Sequence, residues 1–172
     1  MSFDLYFLSR RPDESWEDAL GALEENAAAE RPLEEGDLDL WRRLELKLRD
    51  VLPASEFFEG ERNRELTDEA TGIQVSLFPG ELSLSVPYWY SGPDAERLVD
   101  MLRRVATIVK AESGLTAYDP QAEAPFLGEA VIEAARSFDM VHESFNARGI
   151  TPGQSTIPPP KPKSRWRSLL GG

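Results

Sequence analysis

The sequence predicts an α+β protein, a two-layer sandwich in which a small mixed or antiparallel sheet carries helices mainly on one face. Three observations carry that prediction. Ile73, Val75 and Leu77, then Leu82, Leu84, Val86 and Tyr88, alternate with polar residues on either side of Pro79-Gly80, as an antiparallel hairpin requires. Four further stretches repeat apolar residues at helical spacing. Two short apolar runs, one at each end of this series, read as additional strands.

Each element has its own signals. Phe3 to Leu8 is aromatic and aliphatic throughout and predicts a buried strand. Ser15 and Asp18 have capping-box spacing, and Trp16, Leu20, Leu23 and Ala27 follow on one face, so a helix is expected over 14–29, ending near Pro32. Asp37 is expected to cap a second helix with Trp41, Leu44, Leu48 and Val51 on its apolar face, closed by Pro53. Residues 54–70 are charged and aperiodic and read as a loop. After the hairpin, whose serines suggest one wet face, Ser91 caps a third helix with Pro93 in its first turn. Leu98, Leu102, Val105 and Val109 form its stripe, and Gly114 stops it. Leu115 to Tyr118 is a short strand ended by Asp119-Pro120. A last helix over 126–148 carries Leu127, Val131, Ala134, Phe138, Val141 and Phe145. The order is β-α-α-β-β-α-β-α, with too few parallel crossovers for three layers. Two β-α-β halves joined by a hairpin match a split-βαβ, ferredoxin-like core.

The chain has 172 residues and a formal charge of −12, with one His and no Cys. That length suits one domain with a tail, and 41% hydrophobic residues are enough for a core. Without Cys there is no disulfide scaffold, thiol nucleophile or thiolate metal site. The acidic balance argues against a nucleic-acid partner, because affinity for phosphate backbones comes from Lys and Arg. No apolar run approaches the roughly 20 residues of a membrane span, and the opening residues do not read as a signal peptide. A cytoplasmic protein is the expectation.

Charge also divides the chain. All 31 acids lie within residues 1–160, which hold 15 bases, whereas residues 161–172 contain Lys161, Lys163, Arg165 and Arg167 and no acid. Prolines 158, 159, 160 and 162 mark an extended linker at the break. The expected organisation is a globular domain over 1–149 and a Pro-rich linker with a basic tail over 150–172. In that tail Trp166 is a candidate contact residue. Four bases and three apolar side chains are too few for a stable membrane anchor.

Motifs of catalysis are scarce. There is no Gly-rich phosphate cradle, HExxH is impossible with one His, and no cofactor is predicted. Asp139, His142 and Glu143 fall at i, i+3 and i+4 and could share a helix face, which is the basis of an alternative reading as a metal-dependent enzyme. A solvated polar edge explains the same pattern in so acidic a chain. Asp37-Leu-Asp39 has DxD spacing but sits where a helix begins, and acids there complement its dipole. The acids themselves suggest binding. Residues 1–70 hold 20 acids and 9 bases, and a field of one sign steers an oppositely charged partner. Aromatic residues with a polar handle suit interfaces, which brings forward Trp89, on the serine side of its strand, and Trp41.

The strand MSFDLYFL, the serine-rich hairpin, the following helix and the strand entering Ala117-Tyr118-Asp119-Pro120-Gln121 together resemble a loose group of small bacterial immunity proteins. These are associated with secreted or contact-dependent toxins. The resemblance rests on residues 2–8 and 114–121 and does not extend over 126–172. It implies no catalytic residues. It implies neutralisation of a cognate toxin or effector by direct binding, with an acidic inhibitor covering a basic cleft, and it adds Tyr118 and Asp119 as candidate binding residues. Those two are equally explained as a strand end and a turn. A chaperone or adaptor for a secreted effector is the alternative within the binding class. Oligomeric state and the partner's identity are left open.

Overall fold

A computed structural model describes residues 2–27 and 31–149. The architecture is the expected α+β sandwich. Its strands are β1 (Ser2–Leu8), β2 (Ser55–Glu59), β3 (Arg64–Asp68), β4 (Ile73–Phe78), β5 (Glu81–Pro87), β6 (Thr116–Asp119) and the two-residue β7 (Ala124–Pro125). The helices are α1 (Trp16–Ala27), α2 (Glu35–Val51), α3 (Gly92–Ser113) and α4 (Val131–Ala147), the last preceded by a wider π-type turn over Phe126–Ala130. The sheet has seven strands in the order β2-β3-β4-β5-β1-β6-β7. Every pairing is antiparallel. Its middle, β4-β5-β1-β6, has the strand arrangement of the split-βαβ core.

Register fixes two faces. Leu5 pairs with Leu84, Leu84 with Val75, Val75 with Leu66, and Leu66 with Phe57. These residues look toward α2, α3 and α4. Trp41, Leu44 and Leu48 of α2 and the Leu98/Leu102/Val105/Val109 stripe of α3 join them in the main core. Phe3 anchors one end of it, with ring centroids 5.3 Å from Phe138 and 6.1 Å from Phe126. α1 packs on the opposite face, where Ala19 and Leu23 cover Leu8 and Tyr118. Helices therefore lie mainly on one side.

Several boundaries differ from expectation, each for a local reason. Residues 54–70 form the β2–β3 hairpin rather than a loop. Only Leu66 and Asp68 are fully buried in those two strands, so the apolar alternation that marks a strand is nearly absent. β2 is an edge strand, and its charges protect that edge from pairing with other chains. Asp37 is not the cap of α2 but its third residue: Glu34 is the cap, and the Asp37 carboxylate accepts its backbone N–H at 3.0 Å. The last helix is broken at Gly128, whose φ of −113° and ψ of −137° are not helical. Ser15 behaves as expected, its Oγ accepting the Asp18 N–H at 3.0 Å. Gly114 closes α3 at φ 75°. The tail over 150–172, with Trp166, lies outside the described residues. No described helix is long and apolar enough to cross a membrane.

Candidate functional site

The second face of the sheet follows from the same register. Asp4 pairs with Ser85, Ser85 with Gln74, Ser83 with Ser76, Ser76 with Glu65, and Glu65 with Phe58. Glu56 and Glu81 have the same parity on β2 and β5. α1 shields one end of this face; the rest is a floor of serines carrying Asp4, Glu56, Glu65 and Glu81. The strands contribute no Lys or Arg to it. Arg64, the one base in the seven strands, pairs with Leu77 on the core side and donates to the carbonyls of Gly60 and Asn63.

Ion pairs show the same asymmetry. On the helices, Arg42 meets Asp39, Arg49 meets Glu45, Arg103 meets Asp100 and Arg136 meets Glu133, while Arg43 and Lys47 both reach Glu112. Lys47 and Arg43 hold the Glu112 carboxyl below its ordinary range. None of the ion pairs among the described residues includes Asp4, Glu56, Glu65 or Glu81. Tyr6, in the middle of the face, has a hydroxyl pKa raised by burial and further by the carboxylates of Asp4, Glu81 and Glu24. Among the described residues, these four carboxylates are therefore without an ion-paired base. Phe58, 58% exposed, and Trp89, 46% exposed, supply apolar contact area at its margin. Trp89 is held beside Gly72, where φ is 70° and the Pro87 ring would lie 3.1 Å from an added Cβ. On the helical side, a depression of about 610 Å³ near Val51 and Leu127 carries Arg103 and Arg104, the wrong sign for a basic partner.

The residues singled out from sequence do not converge. Trp89 is on the surface, as its strand parity suggested. Trp41 is 2% exposed and packs edge-on against Phe57, with ring centroids 6.5 Å apart, so it is a core residue and not a contact residue. Tyr118 and Asp119 are also buried. Asp119 Oδ1 accepts the N–H groups of Gln121 at 2.8 Å and Ala122 at 3.2 Å, which makes it the organiser of the β6–β7 turn rather than a surface acid. The Asp139/His142/Glu143 cluster is corrected as well. Asp139 Oδ1 accepts the Gly92 N–H at 2.7 Å and caps α3, whose own Ser91 side chain makes no cap bond. His142 Nδ1 is 3.1 Å from Asn146 Nδ2. Among the described residues no group of three or more His, Asp or Glu side chains is placed to hold a metal ion.

Asp4 and Glu81 were legible as open-face residues, since they alternate with buried positions of recognisable strands. Glu56 and Glu65 were not, because their strands were not recognised. The chain matches no protein-family model, no curated protein and no solved structure.

Proposed function

We propose that this chain is a binding protein of the immunity type, which neutralises a basic toxin or effector domain by covering it with the open face of its sheet. One observation carries the reading: Asp4, Glu56, Glu65 and Glu81 share a face without a strand-borne base, while α2, α3 and α4 carry bases that ion-pair Asp39, Glu45, Asp94, Asp100, Glu112 and Glu133. Carboxylates on a rigid sheet, without an ion-pair partner among the described residues, pay little ordering entropy on binding and attract a basic cleft over a Debye length. Serines between them supply hydrogen bonds without steric bulk, and Phe58 and Trp89 add the apolar anchors that interfaces use. The action is occlusion, not chemistry.

The test is co-expression with the toxin-like product of a neighbouring gene. The native chain is expected to restore growth and to co-purify with that product. Glu65→Lys with Glu81→Lys is expected to abolish both while leaving the circular dichroism spectrum unchanged. Rescue by the charge-reversed chain would refute the proposed surface. Capture of an extended secretion segment, with no effect on toxicity, would favour a chaperone instead.

A further inference from the structure

We infer that the cavity between the start of α1 and the β6–β7 turn is a guanidinium pocket that receives an arginine side chain of the basic partner. This rests on the binding reading above and names its anchor. The cavity measures about 350 Å³ and is lined by Trp16, Glu17, Leu20, Tyr118, Pro120 and Glu123. Neither Glu17 nor Glu123 has an ion-pair partner among the described residues. Tyr118 is 4% exposed and lines the cavity, yet its hydroxyl has no hydrogen-bond partner among the described residues. That hydroxyl is not one of the buried unpartnered atoms; it is open to solvent, where a ligand donor can reach it. Burial raises the pKa of that hydroxyl, and Glu123 and Glu17 raise it further, so both carboxylates bear on the same spot. Glu123 is also the one described non-glycine residue in the left-handed region, at φ 51°. Strain of this kind is kept where something offsets it.

The chemistry selects the ligand. A guanidinium offers five N–H donors in a plane and tolerates apolar walls on its faces. Two carboxylates and a phenol oxygen can accept those donors, while Leu20, Pro120 and the edge of Trp16 supply the walls. An ammonium is more strongly hydrated and fits such walls less well. Trp16 already takes one guanidinium within the chain: Arg10 Cζ lies 4.8 Å from its ring, held there by the Glu14 carbonyl. Tyr118 stacks on the same indole at 5.4 Å and pairs in register with Tyr6. The pocket therefore opens on the acidic side of the sheet, where the partner is steered.

The experiment titrates N-acetyl-arginine amide into the full chain and follows the Trp16 indole N–H by NMR, assigned with Trp16→Phe. The neutral isostere N-acetyl-citrulline amide and N-acetyl-lysine amide are the controls. A saturable shift is expected with arginine, at least about tenfold weaker with citrulline and weaker with lysine. Glu17→Gln and Glu123→Gln are each expected to weaken arginine binding about fivefold or more. Glu123→Gly accommodates φ 51° without strain, so lost binding in that folded variant isolates the carboxylate from the backbone. Equal affinity for arginine and citrulline, no saturation up to about 20 mM, or shifts indifferent to both Glu→Gln changes would overturn the inference. Loss of partner binding in the Glu65/Glu81 charge reversal, without an arginine response at Trp16, would overturn the pocket alone. An arginine response with partner binding indifferent to that reversal would overturn the open-face reading and keep the pocket.

Discussion

Burial raises the Asp119 carboxyl above its ordinary value, while the N–H groups of Gln121 and Ala122 pull it down by a smaller amount. The ionised form is thus disfavoured in the folded chain. A carboxyl with a raised folded pKa binds more protons folded than unfolded, so its contribution to stability is fully present below the unfolded value and declines as pH rises through the folded one. Asp119→Asn keeps an oxygen for the two N–H groups and removes the buried charge. In urea unfolding at pH 7 it is expected to be as stable as the native chain or more so, within about 1 kcal/mol, with that advantage shrinking toward pH 4. Asp119→Ala orphans both donors and is expected to cost about 1–3 kcal/mol. A stabilised alanine variant would show that the turn does not depend on these bonds. Asp119 and Trp41 share a lesson. An acid before proline and a tryptophan on a helix both read as surface candidates, because no single-residue signal separates a buried turn acid from an exposed one. What separates them is the element packed above, β7 and Gln121 in one case and Phe57 in the other.

At the scale of elements, α3 shows how a cap can be borrowed. Ser91 has the sequence of a helix cap, yet its side chain is idle, and the carboxylate of Asp139 from α4 takes the Gly92 N–H instead. Removing this acceptor by Asp139→Ala is expected to cost about 1 kcal/mol, because it takes both a hydrogen bond and a negative charge from a helix N-terminus. Ser91→Ala is expected to cost a few tenths at most. Thermal unfolding of the two variants decides between them, and the reverse order would reassign the cap. The helices and the β4–β5 hairpin were legible because each buries one face, which imposes a period of 3.6 or 2 on its apolar residues. β2 and β3 were not. Phe57 and Leu66 are almost alone in meeting the core from these strands, and Glu56, Phe58 and Glu65 fill the other face with residues that carry no strand signal.

Across the whole molecule, what matters is where charge is compensated. The helical layer alternates acids and bases at i, i+3 and i+4, and these pairs cancel locally. Among the described residues, the carboxylates of the open sheet face have no such partners. Association with the basic partner is expected to depend on salt mainly through the on-rate, falling about tenfold or more between 50 and 500 mM NaCl as screening shortens the Debye length. Stopped-flow measurement checks this, and an on-rate indifferent to salt would remove electrostatic steering from the account.

Composition and periodicity were enough to establish an acidic α+β chain with an antiparallel hairpin and four amphipathic helices, because burial of one face writes itself into local spacing. They could not say which acids stand together. Asp4, Glu56, Glu65 and Glu81 come from four strands, and Glu17 and Glu123 are more than a hundred residues apart. Only antiparallel registration of β1 through β5, and the docking of α1 against β6, brings these charges onto one side, without an ion-pair partner among the described residues. The physical reason is that charge adds over distance in space, whereas a sequence records distance along the chain.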